Sequence, residues 1–357
     1  MRWTLAVAVS LVPLAARAQD ATVPYKENGF GFAVTAKDGG ASYDVMIASW
    51  WGASSASKPA LAAGRVSLSI GGVPMGSEIL AVRQLANADG AIGMDLLGNM
   101  ALGFDLYDHK LAIWAHGSPG KQASDWVGKI GAWAGFGGEA VAIPFEIDSI
   151  GLPTVQLNAL GRDHKALLMT TVNASAVFDA ADVKSENLGS GVFVNDVRIG
   201  GETVPWLRDS KTINGGRSPY PGLGVTALLS LEDLLSPRVV IDFPDRKIYV
   251  WRMGPEGRLT MMLDGLLRVP VQFTSTGLRV GGPLLTKGAR IAAYEGCKVS
   301  KIADEPEAQI RKMLAVPTAE SRKWLNSFLA KVQGVYSLWV VHKDGSEAEV
   351  RVGEKGE

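Results

Sequence analysis

Two segments of this chain align without a gap. Phe104-Asp-Leu-Tyr-Asp-His-Lys-Leu-Ala-Ile-Trp114 lies over Ile241-Asp-Phe-Pro-Asp-Arg-Lys-Ile-Tyr-Val-Trp251, and Asp105/Asp242, Asp108/Asp245, Lys110/Lys247 and Trp114/Trp251 are identical. Each segment reads as a hairpin: an apolar strand, a polar turn, then a second apolar strand. Upstream, Gly90-Ala-Ile-Gly-Met-Asp-Leu-Leu97 pairs loosely with Gly222-Leu-Gly-Val-Thr-Ala-Leu-Leu229, and Ile70-Gly-Gly72 pairs with Ile199-Gly-Gly201. Three matches in the same order point to a duplication. Two copies are too few for a solenoid, so the pattern predicts two lobes related by a pseudo-twofold axis. The 42 glycines imply many turns and a β-rich fold.

Composition narrows the function classes. The 357 residues predict two or three domains. Lys plus Arg is 36 and Asp plus Glu is 36, without the basic excess of a nucleic-acid binder. The single cysteine, Cys297, excludes a disulfide framework and a cysteine-built zinc site, and the four scattered histidines hold no HExxH pair. No metal and no cofactor is expected.

The N-terminus reads as a signal peptide. Arg2 is followed by an apolar run from Leu5 to Ala15 and by the small-x-small site Ala16-Arg17-Ala18. Cleavage there removes residues 1–18. No later run is long enough to span a bilayer as a helix, so the expected product is secreted or periplasmic with no transmembrane segment. Between the repeats, Gly117 to Gly138 holds seven glycines, and Trp126, Ile130 and Trp133 are spaced to share one face of a short helix. This stretch (118–139) is expected to be a linker or an insertion.

Gly-x-x-Gly-x-Asp-x-Leu at Gly90–Leu97, followed by a strand, Asp, a turn and an apolar strand, resembles the second half of a retropepsin-like lobe of bacterial aspartic proteases. The resemblance covers residues 22–117 and 140–252. It implies two closed β lobes with an active cleft between them. It also implies two carboxylates, one per lobe, that share a proton and activate a water.

The family signature is Asp-Thr/Ser-Gly-Ala after an apolar strand in each lobe. In lobe one the strand Val45-Met-Ile-Ala48 leads into Ser49-Trp50-Trp51-Gly52-Ala53-Ser54. Matching Gly52-Ala53 to the end of the signature puts Trp50 at the aspartate and Trp51 where a threonine orients the active loop. In lobe two, Leu167-Leu-Met169 leads into Thr170-Thr171-Val172-Asn173-Ala174-Ser175. This segment aligns with the first without a gap and puts Thr171 at the second aspartate, with Val172 and Asn173 completing the degenerate signature. Both carboxylates are therefore expected to be missing. Asp148-Ser149-Ile150-Gly151 carries an inserted residue and precedes its strand, so it reads as a loop. Asp95, Asp105 and Asp242 read as structural. No Gly-x-Ser-x-Gly occurs. His164 beside Asp163 makes no dyad by adjacency alone. Only 15 residues separate Ser54 from Ile70, which implies a trimmed flap in lobe one. In lobe two Glu186–Gly191 is the candidate hairpin tip.

After Trp251, Arg252–Gly257 reads as a linker. Leu267–Phe273 and Gly277–Val280 are strand-like, Glu307–Lys331 is helical with a break near Pro317, and Val335–Val352 forms a hairpin. This order, with Gly296–Pro306, resembles a bacterial PDZ domain over residues 258–352. Cys297 stands for the family's usual aspartate and Glu305 for its usual turn glycine. The resemblance implies peptide binding by strand addition, with the loop before Gly277 and Leu278 as the candidate carboxylate-binding loop. The reading that unites these features is a mainly β, two-lobed aspartic-protease-like pseudoenzyme that binds a peptide or protein ligand through its cleft and its PDZ-like domain. An active endopeptidase with non-standard catalytic residues and a structural envelope scaffold are the alternatives.

Overall fold

The computed structural model describes residues 20–352 except 29–30, 59–64, 80, 83–84, 86, 116, 130–134, 160–161, 172–175, 178–191, 210–219, 268–269, 283, 287–288, 292–293 and 316–317. The predicted signal peptide, the Glu186–Gly191 tip and the positions Ile130, Trp133, Val172 and Asn173 lie outside these residues.

The chain is mainly β. The first half runs β1 (Ala21–Pro24), β2 (Lys26–Asn28), β3 (Gly31–Asp38), β4 (Ala41–Ile47), β5 (Ser55–Ala56), β6 (Arg65–Ile70), β7 (Val73–Ile79), β8 (Ala81–Val82), β9 (Gly90–Ile92), helix α1 (Met94–Leu97), β10 (Ala101–Asp105) and β11 (Lys110–Trp114). Helix α2 (Lys121–Gly128) follows. The second half runs β12 (Gly138–Pro144), β13 (Glu146–Ile147), β14 (Pro153–Ala159), β15 (Arg162–Met169), β16 (Ala176–Val177), β17 (Val192–Ile199), β18 (Glu202–Asp209), β19 (Ala227–Ser230), a 3-10 turn at Leu231–Leu234, β20 (Arg238–Asp242) and β21 (Lys247–Met253).

The two halves pair their strands in the same order. The first-half sheet is β7-β6-β3-β4-β9-β5, extended by β8, and the second-half sheet is β18-β17-β14-β15-β19-β16. In each, the long apolar strand lies parallel to a short one: Val45↔Gly90 and Ile47↔Ile92 in the first, Ala166↔Ala227 and Leu168↔Leu229 in the second. A third sheet, β1-β11-β10-β20-β21-β12, joins the halves through the antiparallel pair β10/β20. Its register sets Gly103 opposite Val240, the same position of the two aligned hairpins.

One loose sequence match moves. The β15/β19 register puts Ala227, not Gly222, in the place of Gly90, and Leu231–Leu234 in the place of α1. The Ile-Gly-Gly match holds its place at the tips of β6–β7 and β17–β18. Gly71, Gly72, Gly200 and Gly201 all have positive φ, the geometry of a two-residue hairpin turn. A Cβ on Gly71 would meet Val23 of β1, and one on Gly200 would meet Ile143 of β12. Each tip thus rests on one edge strand of the joining sheet.

One continuous apolar core runs from Tyr25 to Val250 through both halves. The C-terminal module has its own, from Leu259 to Val352. It comprises α3 (Pro255–Leu267), β22 (Val271–Thr274), β23 (Gly277–Val280), β24 (Leu284–Thr286), β25 (Ala289–Ile291), β26 (Lys298–Ile302), β27 (Glu305–Pro306), α4 (Glu307–Ala315), α5 (Ala319–Val332), β28 (Tyr336–Val341) and β29 (Glu347–Val352). The helix break near Pro317 and the final hairpin sit where the sequence puts them. The linker does not: β21 runs to Met253, and α3 starts at Pro255 after Gly254 alone. A proline at the first helical position needs no amide partner there. The β26–β27 turn is made by Ala303 (φ 48°) and Asp304 (φ 67°), so the turn-glycine position is Asp304 rather than Glu305. Glu305 instead accepts bonds from Trp324 and Lys331.

Candidate functional site

The site predicted from sequence lies where β4 and β15 leave their sheets. Val45-Met46-Ile47 is buried, and its parallel ladder continues one step further, with the Ala48 amide donating to the Ile92 carbonyl at 2.9 Å. The chain then turns, Trp51 N donating to Ala48 O at 3.1 Å. The start of α1 fixes the turn's far side, with Met94 N donating to Trp51 O and Asp95 N to Gly52 O. Asp95 accepts from both the amide and the hydroxyl of Ser54, at 2.8 and 2.6 Å. Asp95 is therefore a loop support, as its place in the sequence suggests.

Ser49 and Thr170 meet where the two exits face each other. The Ser49 amide donates to Thr170 Oγ1 at 3.1 Å, and the Thr170 hydroxyl donates to the Ile47 carbonyl at 2.8 Å. In return the Thr170 amide donates to Ser49 Oγ at 3.0 Å, and the Ser49 hydroxyl donates to the Leu168 carbonyl at 2.9 Å. Each hydroxyl bonds the residue two before its counterpart in the other half. Both side chains are fully buried, where an unpaired polar group is costly, so the four bonds lock the two loops to each other.

The singled-out residues sit around this pair. Trp50 is 6% exposed and belongs to the core; its carbonyl accepts from Tyr220 of the second half at 3.1 Å. Trp51 is half-buried and meets Trp50 edge-on, with ring centroids 6.2 Å apart. Gly52 is exposed beside Ile150. Thr171 is buried, bridges to Gly31 of the first half, and its hydroxyl has no hydrogen-bond partner. The residues just after the apolar strands are Ala48, fully buried, and Met169 at the end of β15, 8% exposed.

No carboxylate faces this centre among the described residues. The buried acids are Asp105, Asp233 and Asp242. Asp233 closes a capping box on Ser230, while Asp105 and Asp242 support the turns of the joining-sheet hairpins. Asp148 accepts from Ile150 and Leu152, a loop-closing role that agrees with the sequence reading. His164 is buried between Thr226 and the Ala159 carbonyl. No group of three or more His, Cys, Asp or Glu able to hold a metal occurs among the described residues, and no described helix is long and apolar enough to cross a membrane.

The segment expected to be a trimmed flap is described from Ser55 to Lys58 and again from Arg65. Ser57 N and Lys58 N both donate to the Asp89 carbonyl, and the Lys58 ammonium lies 2.9 Å from the Asp89 carboxylate. The chain leaving β5 is thus tied back to its own sheet.

In the C-terminal module Gly277 and Leu278 are not in an open loop. They pair with Thr274 and Phe273 inside the β22–β23 hairpin, and Leu278 is fully buried. Thr276 N donates to Thr274 Oγ1, and Arg311 donates to the Thr274 carbonyl. The other side of β23 faces β26. A peptide strand has no free edge there.

No protein-family model and no curated protein matches the chain. Among solved structures it is similar to an aspartic proteinase from Irpex lacteus. The identity is 10%, the match covers 65% of this chain and 97% of that one, and the TM-score is 0.43.

Proposed function

We propose that this chain is an exported, catalytically silent aspartic-protease-like protein that acts by binding a peptide or protein. The observation that carries the reading is the reciprocal Ser49–Thr170 lock. In the signature Asp-Thr/Ser-Gly the hydroxyl residue directly follows the carboxylate and orients the active loop. Ser49 and Thr170 are the hydroxyls that tie the two loops, so the carboxylate positions fall on Ala48 and Met169. This register lies two residues earlier than the one that put Trp50 and Thr171 there. The ungapped alignment between the halves is kept, and only its frame against the signature moves.

Neither register supplies an acid. A shared-proton dyad needs one protonated and one ionised carboxyl at close range. A methyl and a thioether exchange no proton. The burial of Ala48, Ser49, Thr170 and Thr171 supports the same conclusion, because a hydrolytic water needs access to the dyad. The shared strand order of the halves supports a duplicated lobe.

The PDZ-like reading of the C-terminal module belongs to this proposal and rests on its order of strands, paired helices and final hairpin. Since β23 is flanked on both sides, strand addition falls to an outer strand of that sheet, β22 or β29.

The test is proteolysis of denatured casein by the full chain from pH 3 to pH 7, with and without pepstatin. No pepstatin-sensitive cleavage is expected at any pH. Pepstatin-sensitive turnover would overturn the assignment of Ala48 and Met169.

A further inference from the structure

The joining sheet ends on two equivalent strands, β1 and β12. Val23-Pro24-Tyr25 at the close of β1 recurs as Ile143-Pro144-Phe145 at the close of β12. The edges differ in length: β1 has four residues and β12 has seven, the excess lying at the Gly138 end. An antiparallel ladder alternates pairs that exchange hydrogen bonds with pairs whose backbone groups point away. Just beyond the ends of β12, Gly254 N donates to Gly137 O at 3.1 Å and Phe145 N donates to Arg246 O at 3.0 Å. The register between them is unbroken, from Gly138↔Met253 to Pro144↔Lys247. The odd-numbered residues of β12 therefore turn their backbone to β21, while Ala140, Ala142 and Pro144 turn theirs to the outer edge. Pro144 has no amide to offer, and Ile143 beside it meets the Gly200 hairpin tip, so the open stretch is Gly138–Ala142. Gly138, Glu139 and Ala142 are exposed.

A cavity of about 360 Å³ opens at the Gly138 end, lined by Gly138, Glu139, Arg252, Met253, Gly254 and Arg258. Glu139 and Arg252 pair with each other at 2.8 Å. Arg258 is half-buried on the first turn of α3, and its guanidinium has no partner among the described residues. One acid against two guanidinium groups leaves the cavity positive, and the N-terminal end of the α3 dipole has the same sign. The walls are held tightly. A Cβ on Gly254 would come within 2.4 Å of the Phe136 carbonyl, and one on Gly138 within 2.5 Å of the Arg252 carbonyl.

We propose that the outer edge of β12 binds the C-terminal end of an extended peptide chain, added as a strand with its terminal carboxylate on Arg258. The direction follows from the geometry. A strand added antiparallel to β12 ends beside the start of β12, which is where the cavity lies. Ala140 and Ala142 supply the ladder bonds, and the unpaired guanidinium supplies a charge-assisted bond to the carboxylate. An internal peptide segment offers no such charge. The proposal rests neither on the silence of the cleft nor on the PDZ-like reading of the C-terminal module.

The test uses the immobilised full chain and a mixed-sequence pool of N-acetylated hexapeptides, supplied once with free C-terminal carboxylates and once amidated. Retention of the free-acid pool is expected to exceed that of the amidated pool by about fivefold or more. Arg258→Gln is expected to bring the two pools level, and Arg258→Lys to restore part of the difference. Ala140→Pro removes one outward amide and spares the ladder to β21, as Pro144 already does, and is expected to lower retention of the free-acid pool. On the unmodified chain, the free-acid pool is expected to slow hydrogen exchange at the Ala140 and Ala142 amides, a readout that decides even where Ala140→Pro fails to fold. Equal retention of the two pools would overturn the proposal. So would a free-acid preference that survives Arg258→Gln, or binding that leaves exchange at Ala140 and Ala142 unchanged, either of which would move capture to the cleft or to an outer strand of the C-terminal module.

Discussion

Thr170 donates its hydroxyl to the carbonyl of Ile47, and Ser49 donates its hydroxyl to the carbonyl of Leu168, at 2.8 and 2.9 Å. The two residues are distant in sequence and hold the halves together at a fully buried point. Thr170→Val keeps the shape but strips both bonds, leaving the Ser49 amide and the Ile47 carbonyl without these partners. A loss of about 2–4 kcal/mol is expected, from two orphaned buried groups. Chemical denaturation measures it, and a cost below about 0.5 kcal/mol would show that the lock is not a joint between the halves.

Carboxylates placed on the proposed frame test how buried and how close its two positions are. In Ala48→Asp with Met169→Asp, two acids are placed at buried positions on facing loops. Each acid raises the other's proton affinity, and burial raises both. The variant is therefore expected to be most stable at acid pH and to lose stability as pH rises through the raised values. A melting temperature lower at pH 7 than at pH 4, against a wild-type control, is the readout. Trp50→Asp is expected to cost about 3–5 kcal/mol through loss of a buried indole. Little proteolysis is expected from either, because the chain after β5 is tied to Asp89.

Arg238 is expected to be among the most sensitive surface-reaching residues. Its side chain is 21% exposed but serves the nearly buried Asp105 and the last carbonyls of α2. Arg238→Met leaves Asp105 without this cation, and a destabilisation of about 3 kcal/mol is expected. Thermal melting reads it, and Lys110→Met, which removes an exposed partner of Asp108, is the comparison that should change little.

The β26–β27 turn carries two non-glycine residues at positive φ, Ala303 and Asp304. Asp304→Gly removes the side-chain penalty at an exposed turn position where glycine is preferred. A gain of up to about 1 kcal/mol is expected in the unfolding of the C-terminal module, less the extra freedom of the unfolded chain. A loss of stability would mean that the Asp304 side chain supports the turn.

The expected cleavage after Ala18 would keep Asp20 and its contacts in the exported protein. Asp20 N donates to the Ile113 carbonyl at 2.8 Å, and Ala115 N donates to the Asp20 carboxylate at 2.7 Å. N-terminal sequencing of exported protein is expected to begin at Gln19, and an intact Met1 in that fraction would refute export through this leader.

The sequence by itself determined the features whose causes are local. The hairpins at Phe104–Trp114 and Ile241–Trp251 were legible because a turn needs its Asp, its polar tip and its flanking apolar strands within a few residues. The Ile-Gly-Gly pairs were legible because a two-residue turn needs positive φ at fixed places. The C-terminal helices and final hairpin follow from the same kind of periodicity. The tertiary structure alone decided the rest. Gly90 and Ala227 share no side-chain type, and only the parallel ladders on β4 and β15 make them equivalent. Glycine and alanine after Trp51 drew the signature to Trp50, whereas the proposed frame, two residues earlier, rests on hydroxyls bonding across a gap of more than a hundred residues. The closed turn at Gly277 and the unequal surroundings of Asp105 and Asp242 depend likewise on which strand lies opposite. Local conformational preference is written in neighbouring residues, whereas a buried polar group's partner is chosen by the strand that packing brings beside it.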